Sequence, residues 1–98
     1  MHYEALKVFG KKEMKNMKKQ LSIMGILVDK RTESAPRVQE TLTKYGDSIL
    51  SRVGIHDPGE EQNGLITLCL RDKDERIDSL AEELESLNGV KVKKIHMN

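Results

Sequence analysis

The chain has 98 residues, enough for one hydrophobic core and too few for a separate catalytic domain. With 37% hydrophobic residues, no Trp, one Phe and two Tyr, that core must be built from Leu, Ile, Val and Met; a core so thin points to partner association as a further source of stability. The net charge is only +1, no apolar run approaches the roughly 20 residues of a membrane span, no secretory apolar region follows the N-terminal lysines, and the single Cys69 excludes an intramolecular disulfide, so the expected location is cytoplasmic, away from membranes.

Residues 1–19 read as a basic extension ahead of one domain spanning 20–98. The first twenty residues carry six lysines against Glu4 and Glu13, whereas the remainder holds 11 basic and 14 acidic side chains. One reading makes this extension a basic arm or short helix that touches nucleic acid through Lys11, Lys12, Lys15, Lys18 and Lys19 or packs on a neighbour, with Leu6, Phe9, Met14 and Met17 as its apolar residues. The other places the translation start at Met17, because Lys12-Glu13 can be encoded AAG GAG, a ribosome-binding sequence separated from Met17 by the codons of Met14-Lys15-Asn16.

The run from Gln20 to Val28 is apolar and suited to a first strand. Ala35, Val38, Leu42 and Tyr45 then recur at helical spacing and predict an amphipathic helix, with Thr32 or Ser34 as its cap, Pro36 in its first turn and Gly46 as a left-handed stop. Ser48 to His56 predicts a second strand and Leu65 to Leu70 a third. The Pro- and Gly-containing segment between them, with Asp57, Glu60 and Glu61, predicts a mobile exposed loop. Ile77, Leu80, Ala81, Leu84 and Leu87 form one stripe of a second helix, started by Asp72 or Asp74 and ended at Asn88-Gly89. Val90 to Met97 alternates as a last strand, buried on one face and basic on the other, with a register slip near Lys93-Lys94.

This order, βαββαβ, predicts an α+β ferredoxin-like sandwich: a four-stranded antiparallel sheet with both helices on one face. The first and third strands are apolar on both sides, which helix packing on one face does not require. Self-association through the sheet, sheet to sheet or edge to edge, is therefore expected.

No catalytic constellation emerges, and the chain is not expected to be an enzyme or to hold a metal or cofactor. Cys69, between Leu68 and Leu70, reads as a small buried hydrophobe. Gly25 interrupts the first strand without any phosphate-loop pattern, consistent with a close backbone approach. His56 beside Asp57 is a candidate ligand contact, with no nucleophile tied to it by a motif.

The Arg52-Val53-Gly54-Ile55-His56 strand end, the Asn63-Gly64-Leu65-Ile66 start of the third strand and the Leu87-Asn88-Gly89-Val90-Lys91-Val92 helix-to-strand join make residues 21–97 resemble the family of iron-only hydrogenase system regulators. That resemblance implies an ACT-like fold, related to the sensing domain of nickel-responsive repressors, assembling as a dimer or tetramer through its sheets. It further implies a regulatory role and a small-molecule effector near the turn after the first strand, where Asp29 is a candidate ligand contact and Arg31 or Arg52 could hold a carboxylate. Two departures set limits. Too few residues precede the first strand for a ribbon-helix-helix arm, and His56, Cys69 and His96 fall on three different strands, without the His-x-His of a nickel site.

Overall fold

The computed structural model describes residues 18–56, 59 and 63–97. The elements follow the predicted order: β1 (Gln20–Val28), α1 (Ala35–Lys44), a short 3-10 turn (Gly46–Ser48), β2 (Ile49–His56), β3 (Gly64–Asp72), α2 (Asp74–Glu85) and β4 (Val90–His96). All pairings are antiparallel in the order β2-β3-β1-β4, so β1 and β3 are central and β2 and β4 are edges. This is the ferredoxin-like, ACT-like α+β fold. Residues of the loop between β2 and β3, including Asp57, Glu60 and Glu61, lie outside the described residues, as do Lys11, Lys12 and Lys15.

Strand alternation divides the sheet into two faces. Met24 and Ile26 of β1, Leu68 and Leu70 of β3, and Val90 and Val92 of β4 are buried under the helices. Val38, Leu42 and Tyr45 reach down from the α1 side, and Ile77, Leu80, Ala81 and Leu84 from α2. Apart from Tyr45 the core is aliphatic.

Several local expectations are corrected. Ala35 is exposed and not part of the buried stripe: it borders a shallow groove with Gly54, whose missing side chain leaves the edge strand short of α1. Gly46 is not left-handed; it opens the 3-10 turn, and among described glycines the positive φ (78°) belongs to Gly89. Ser34, one of the two expected positions, is the N-cap of α1, whereas that of α2 is Lys73 and neither Asp72 nor Asp74; neither cap makes a side-chain bond, although Asp74 and Glu75 in the first turn of α2 complement its dipole. β4 shows no register slip. Lys94 and His96 point to the helix side, where Lys94 Nζ lies 3.3 Å from Asp78 Oδ1 and His96 Nδ1 lies 3.5 Å from Asp74 Oδ1, while Ile95 turns to the opposite face. The Lys94–Asp78 ion pair and the polar contacts of His96, not apolar packing, therefore hold the end of β4 to α2. The buried Ser22 hydroxyl adds a 2.9 Å hydrogen bond with His96 Nδ1.

A second polar cluster lies at the same end of the sheet, on the β3 side of the start of α2. The buried Ser48 hydroxyl donates to Asp72 Oδ2, Arg76 Nε sits 3.1 Å from the same oxygen, and Lys73 N–H donates to Asp72 Oδ1 at 2.7 Å. The Arg76 guanidinium also lies over the Tyr45 ring at 4.7 Å, and Tyr45 donates its hydroxyl proton to Glu83. Burial pushes the Asp72 carboxyl up, but the hydrogen bonds from Ser48 and Lys73 and the charge of Arg76 outweigh it and hold the group below the usual range.

A carboxyl depressed in the folded state stabilises the fold above its unfolded pKa and loses that contribution as pH falls through the folded value. Asp72→Asn is expected to cost about 1–3 kcal/mol at pH 7 and to flatten the acid limb of stability below about pH 5, measured by denaturant unfolding across pH. Gly89→Ala is expected to cost about 2–3 kcal/mol, because a left-handed residue gains a Cβ. That Cβ would also sit 2.7 Å from Thr32 Cβ. A melting temperature unchanged by Gly89→Ala would contradict this reading of the turn.

Candidate functional site: the turn after β1 and the open sheet face

At one end of the sheet, His56, Gly64, Val28 and Val90 form a row across all four strands. Beyond Val28 the chain turns sharply. Asp29 N–H donates to Gly89 O at 2.9 Å, and Asp29 O accepts from Thr32 N–H at 3.0 Å. The Thr32 hydroxyl donates to Asn88 O and accepts from Ser34 N–H, and Lys30 N–H donates to Asn63 Oδ1 at 3.3 Å. The turn after β1, the α2–β4 join and the start of β3 are thereby tied into one platform.

On that platform Asp29 and Arg31 face each other. Asp29 Oδ1 accepts from the Arg31 backbone N–H at 2.8 Å and from Nε at 3.3 Å, and Oδ2 accepts from Nη2 at 3.2 Å. The side-chain hydrogen bonds from Arg31, reinforced by its backbone N–H, hold the Asp29 carboxyl below its usual range. The Arg31 side chain remains 83% exposed. It borders a cleft with Glu33, Ser34 and Arg37 on the α1 side and Ser86 and Asn88 after α2. A second cleft, beside Leu27, Asp29, Asn63 and Lys91, opens on the other side of the turn.

The remaining predicted residues stand apart. Arg52 lies in the middle of edge strand β2 opposite Leu68, and its Nη2 donates to Gln39 Oε1 of α1 at 2.6 Å. It stands four residues, roughly 13 Å, along β2 from His56. His56 is exposed in the terminal row, two strands and roughly 10 Å from Val28. Of the four candidates, then, only Asp29 and Arg31 come together. Lys18 and Lys19 are exposed just before β1.

The other feature is the sheet face away from the helices. Ile23 and Leu27 of β1, Leu65 and Cys69 of β3, Val53 and Ile55 of β2, and Ile95 of β4 point to this side. Val53 is 60% and Ile95 61% exposed. Cys69 is half-buried and not a core residue, because its side chain faces outward opposite Ile23. Gly25 lies at the centre of the face, and a Cβ there would meet nothing within 4 Å, so no backbone of the described chain approaches it. The charged residues whose positions turn to this face are Arg71, Lys91 and Lys93; among described residues its strand positions carry no acidic side chain. The acids are concentrated on α2, with six Asp and Glu against Arg76.

Sequence reasoning missed the two polar clusters. The i, i+4 spacing of Asp72 and Arg76 was a usable signal for one; Ser22 with His96 crosses the whole chain and offered none. Among described residues no three His, Cys, Asp or Glu side chains converge as a metal site requires, and no helix is long and apolar enough to cross a membrane.

No curated protein sequence matches the chain. Among solved structures it is similar to protein TM1266 from Thermotoga maritima, with 31% identity and a TM-score of 0.75, covering 82% of this chain and 99% of that one. It also resembles the ACT domain of GTP pyrophosphokinase from Chlorobium tepidum (15% identity, TM-score 0.61, 79% and 86% covered). A homoserine dehydrogenase from Thiobacillus denitrificans is similar at 16% identity and TM-score 0.59 over 86% of this chain and 19% of that one. The last two support the fold alone. A family model described as TM1266-like matches residues 20–94, across both helices and nearly all of the four strands, and the chain therefore belongs to the TM1266-like family of proposed iron-only hydrogenase system regulators.

Proposed function

We propose that this protein is a cytoplasmic, homo-oligomeric regulatory domain, binding rather than catalysing, that senses a small anionic effector and acts on iron-only hydrogenase or related redox metabolism, by control of transcription. Residues 20–98 form the sensing domain and residues 1–19 a basic extension. The observation that carries the assembly is the open sheet face, whose apolar side chains on all four strands neither α1 nor α2 covers. The effector is assigned to the turn after β1. There Asp29 orients the Arg31 guanidinium, and Arg31 and Arg37 border one cleft together with Glu33; two guanidinium side chains at one cleft support a carboxylate or phosphate ligand. His56 at the same end of the sheet and Arg52 on the edge strand are the further candidates; assembly would be needed to bring either to the turn.

The alternative partner is nucleic acid, bound by Lys11, Lys12, Lys15, Lys18 and Lys19; the exposure of Lys18 and Lys19 favours keeping it. Steeply salt-dependent DNA affinity that disappears when residues 1–16 are removed would identify it.

Light scattering and thermal melting of the full chain against a panel of carboxylate and phosphate metabolites test the sensor reading. The expected result is a dimer or tetramer whose melting temperature rises with one compound, a rise abolished by Arg31→Ala. A monomer indifferent to the whole panel would overturn it.

A further inference from the structure

Sheet-to-sheet pairing of two identical copies has two symmetric solutions, and the charge layout of the open face separates them. If the two-fold axis lies in the plane between the sheets and across the strands, each strand stacks on its own counterpart. β4 then lies over the partner's β4, whatever the slide along the strands. Lys91 and Lys93 of both copies collect along one seam, and the strand positions of neither face supply an acidic side chain to separate them. If the axis runs along the strands, β4 lies over the partner's β2 and β1 over its β3.

In this second stacking the cross-strand rows are preserved, so the partners of each residue can be read from the register. Lys93 shares a row with Gly25, Thr67 and Val53, and Ile95 shares one with Ile23, Cys69 and Ser51. Lys93 therefore meets Val53 of the partner subunit, its aliphatic stem over the valine and its ammonium group at the rim. Gly25, open at the centre, receives the partner's Thr67. Ile23 meets the partner's Cys69, and Ile95 the partner's Ser51. In the Ile95 row isoleucines are set against a cysteine and a serine and Gly25 admits Thr67, while the next row sets Leu27 on the partner's Leu65 and Lys91 on the partner's Ile55.

We infer that the open face is covered by a second copy of this chain, stacked with β4 over the partner's β2 and the two-fold axis along the strands. The inference rests on the self-association proposed above and adds its geometry. Four strands at ~4.8 Å and about four rows at ~6.8 Å give a face of roughly 500 Å² per copy. Two copies bury on the order of 1,000 Å², at the lower bound for specific interfaces, so association is expected to depend on concentration.

The test uses full-length chain in a Cys69→Ser background, with Ser51→Cys and Ile95→Cys as separate variants mixed in equal amounts. A bis-maleimide spanning the ~10 Å between packed sheets is the probe. Both substitutions leave Lys91 and Lys93 in place. The expected result is a covalent dimer in the mixture, at least ten-fold more than with either variant alone. Self-cross-linking of Ile95→Cys would place β4 over β4 and overturn the stacking. Self-cross-linking of Ser51→Cys would place the β2 edges together and overturn it equally. A dimer by light scattering that cross-links in none of the three samples refutes this geometry and leaves self-association standing. A monomer, whether bare or covered by its own residues 1–17, refutes both.

Discussion

Two helices can cover only one face of a four-stranded sheet, and in this chain the two central strands are apolar on both. β1 alternates Met24 and Ile26 under the helices with Ile23 and Leu27 on the other side, and β3 alternates Leu68 and Leu70 with Leu65 and Cys69. Burying the first set forms the core. The second set is left facing water at a cost of roughly 25 cal/mol for each Å² of apolar surface not covered. A domain of this size has little stability to spare, so surface of this kind on its central strands is an interface in waiting.

The remaining features fit around that constraint. Acidic side chains are gathered on α2, while among the described residues the strand positions of the open face carry Arg71, Lys91 and Lys93 as their charged groups and no carboxylate that would have to be desolvated. The end of β4 is held to α2 by Lys94, His96, Asp74 and Asp78, so Ile95 is free to contribute to the open side. The Ser48–Asp72–Arg76 cluster fixes the junction of α1, β3 and α2. At the opposite end, Gly89 and Thr32 lock the turn that presents Arg31. The candidate effector site is therefore built on backbone hydrogen bonds from three segments and not on a freely moving loop.

The sequence made the fold legible because its period changes at the right places, from the alternation of β1 and β3 to the three- and four-residue spacing of α1 and α2. It also showed that β1 and β3 have two apolar sides. It was less informative where tertiary context overrides pattern. The spacing of Val90, Val92 and Ile95 suggested a slip in β4, yet the strand is regular: Lys94 faces the helices because Asp78 is there to receive it. Cys69 read as core because it lies between two leucines, but neighbours in a strand point to opposite faces. Asp29 and Arg31 were found as a candidate pair through the family resemblance; that they bond to each other, while Arg52 turns to Gln39, depends on side-chain directions that no spacing encodes.

Cys69 is a native reporter for the central claim, since it lies on the open face and is only half-buried in the isolated chain. The direct measurement is its rate of alkylation in the native protein as a function of protein concentration, referenced to the same thiol in denaturant. Coverage of the face by a second copy predicts a rate that falls as concentration rises and levels off well below the reference. A rate that stays at a constant fraction of the reference, set by half-exposure alone at every concentration, would contradict the account.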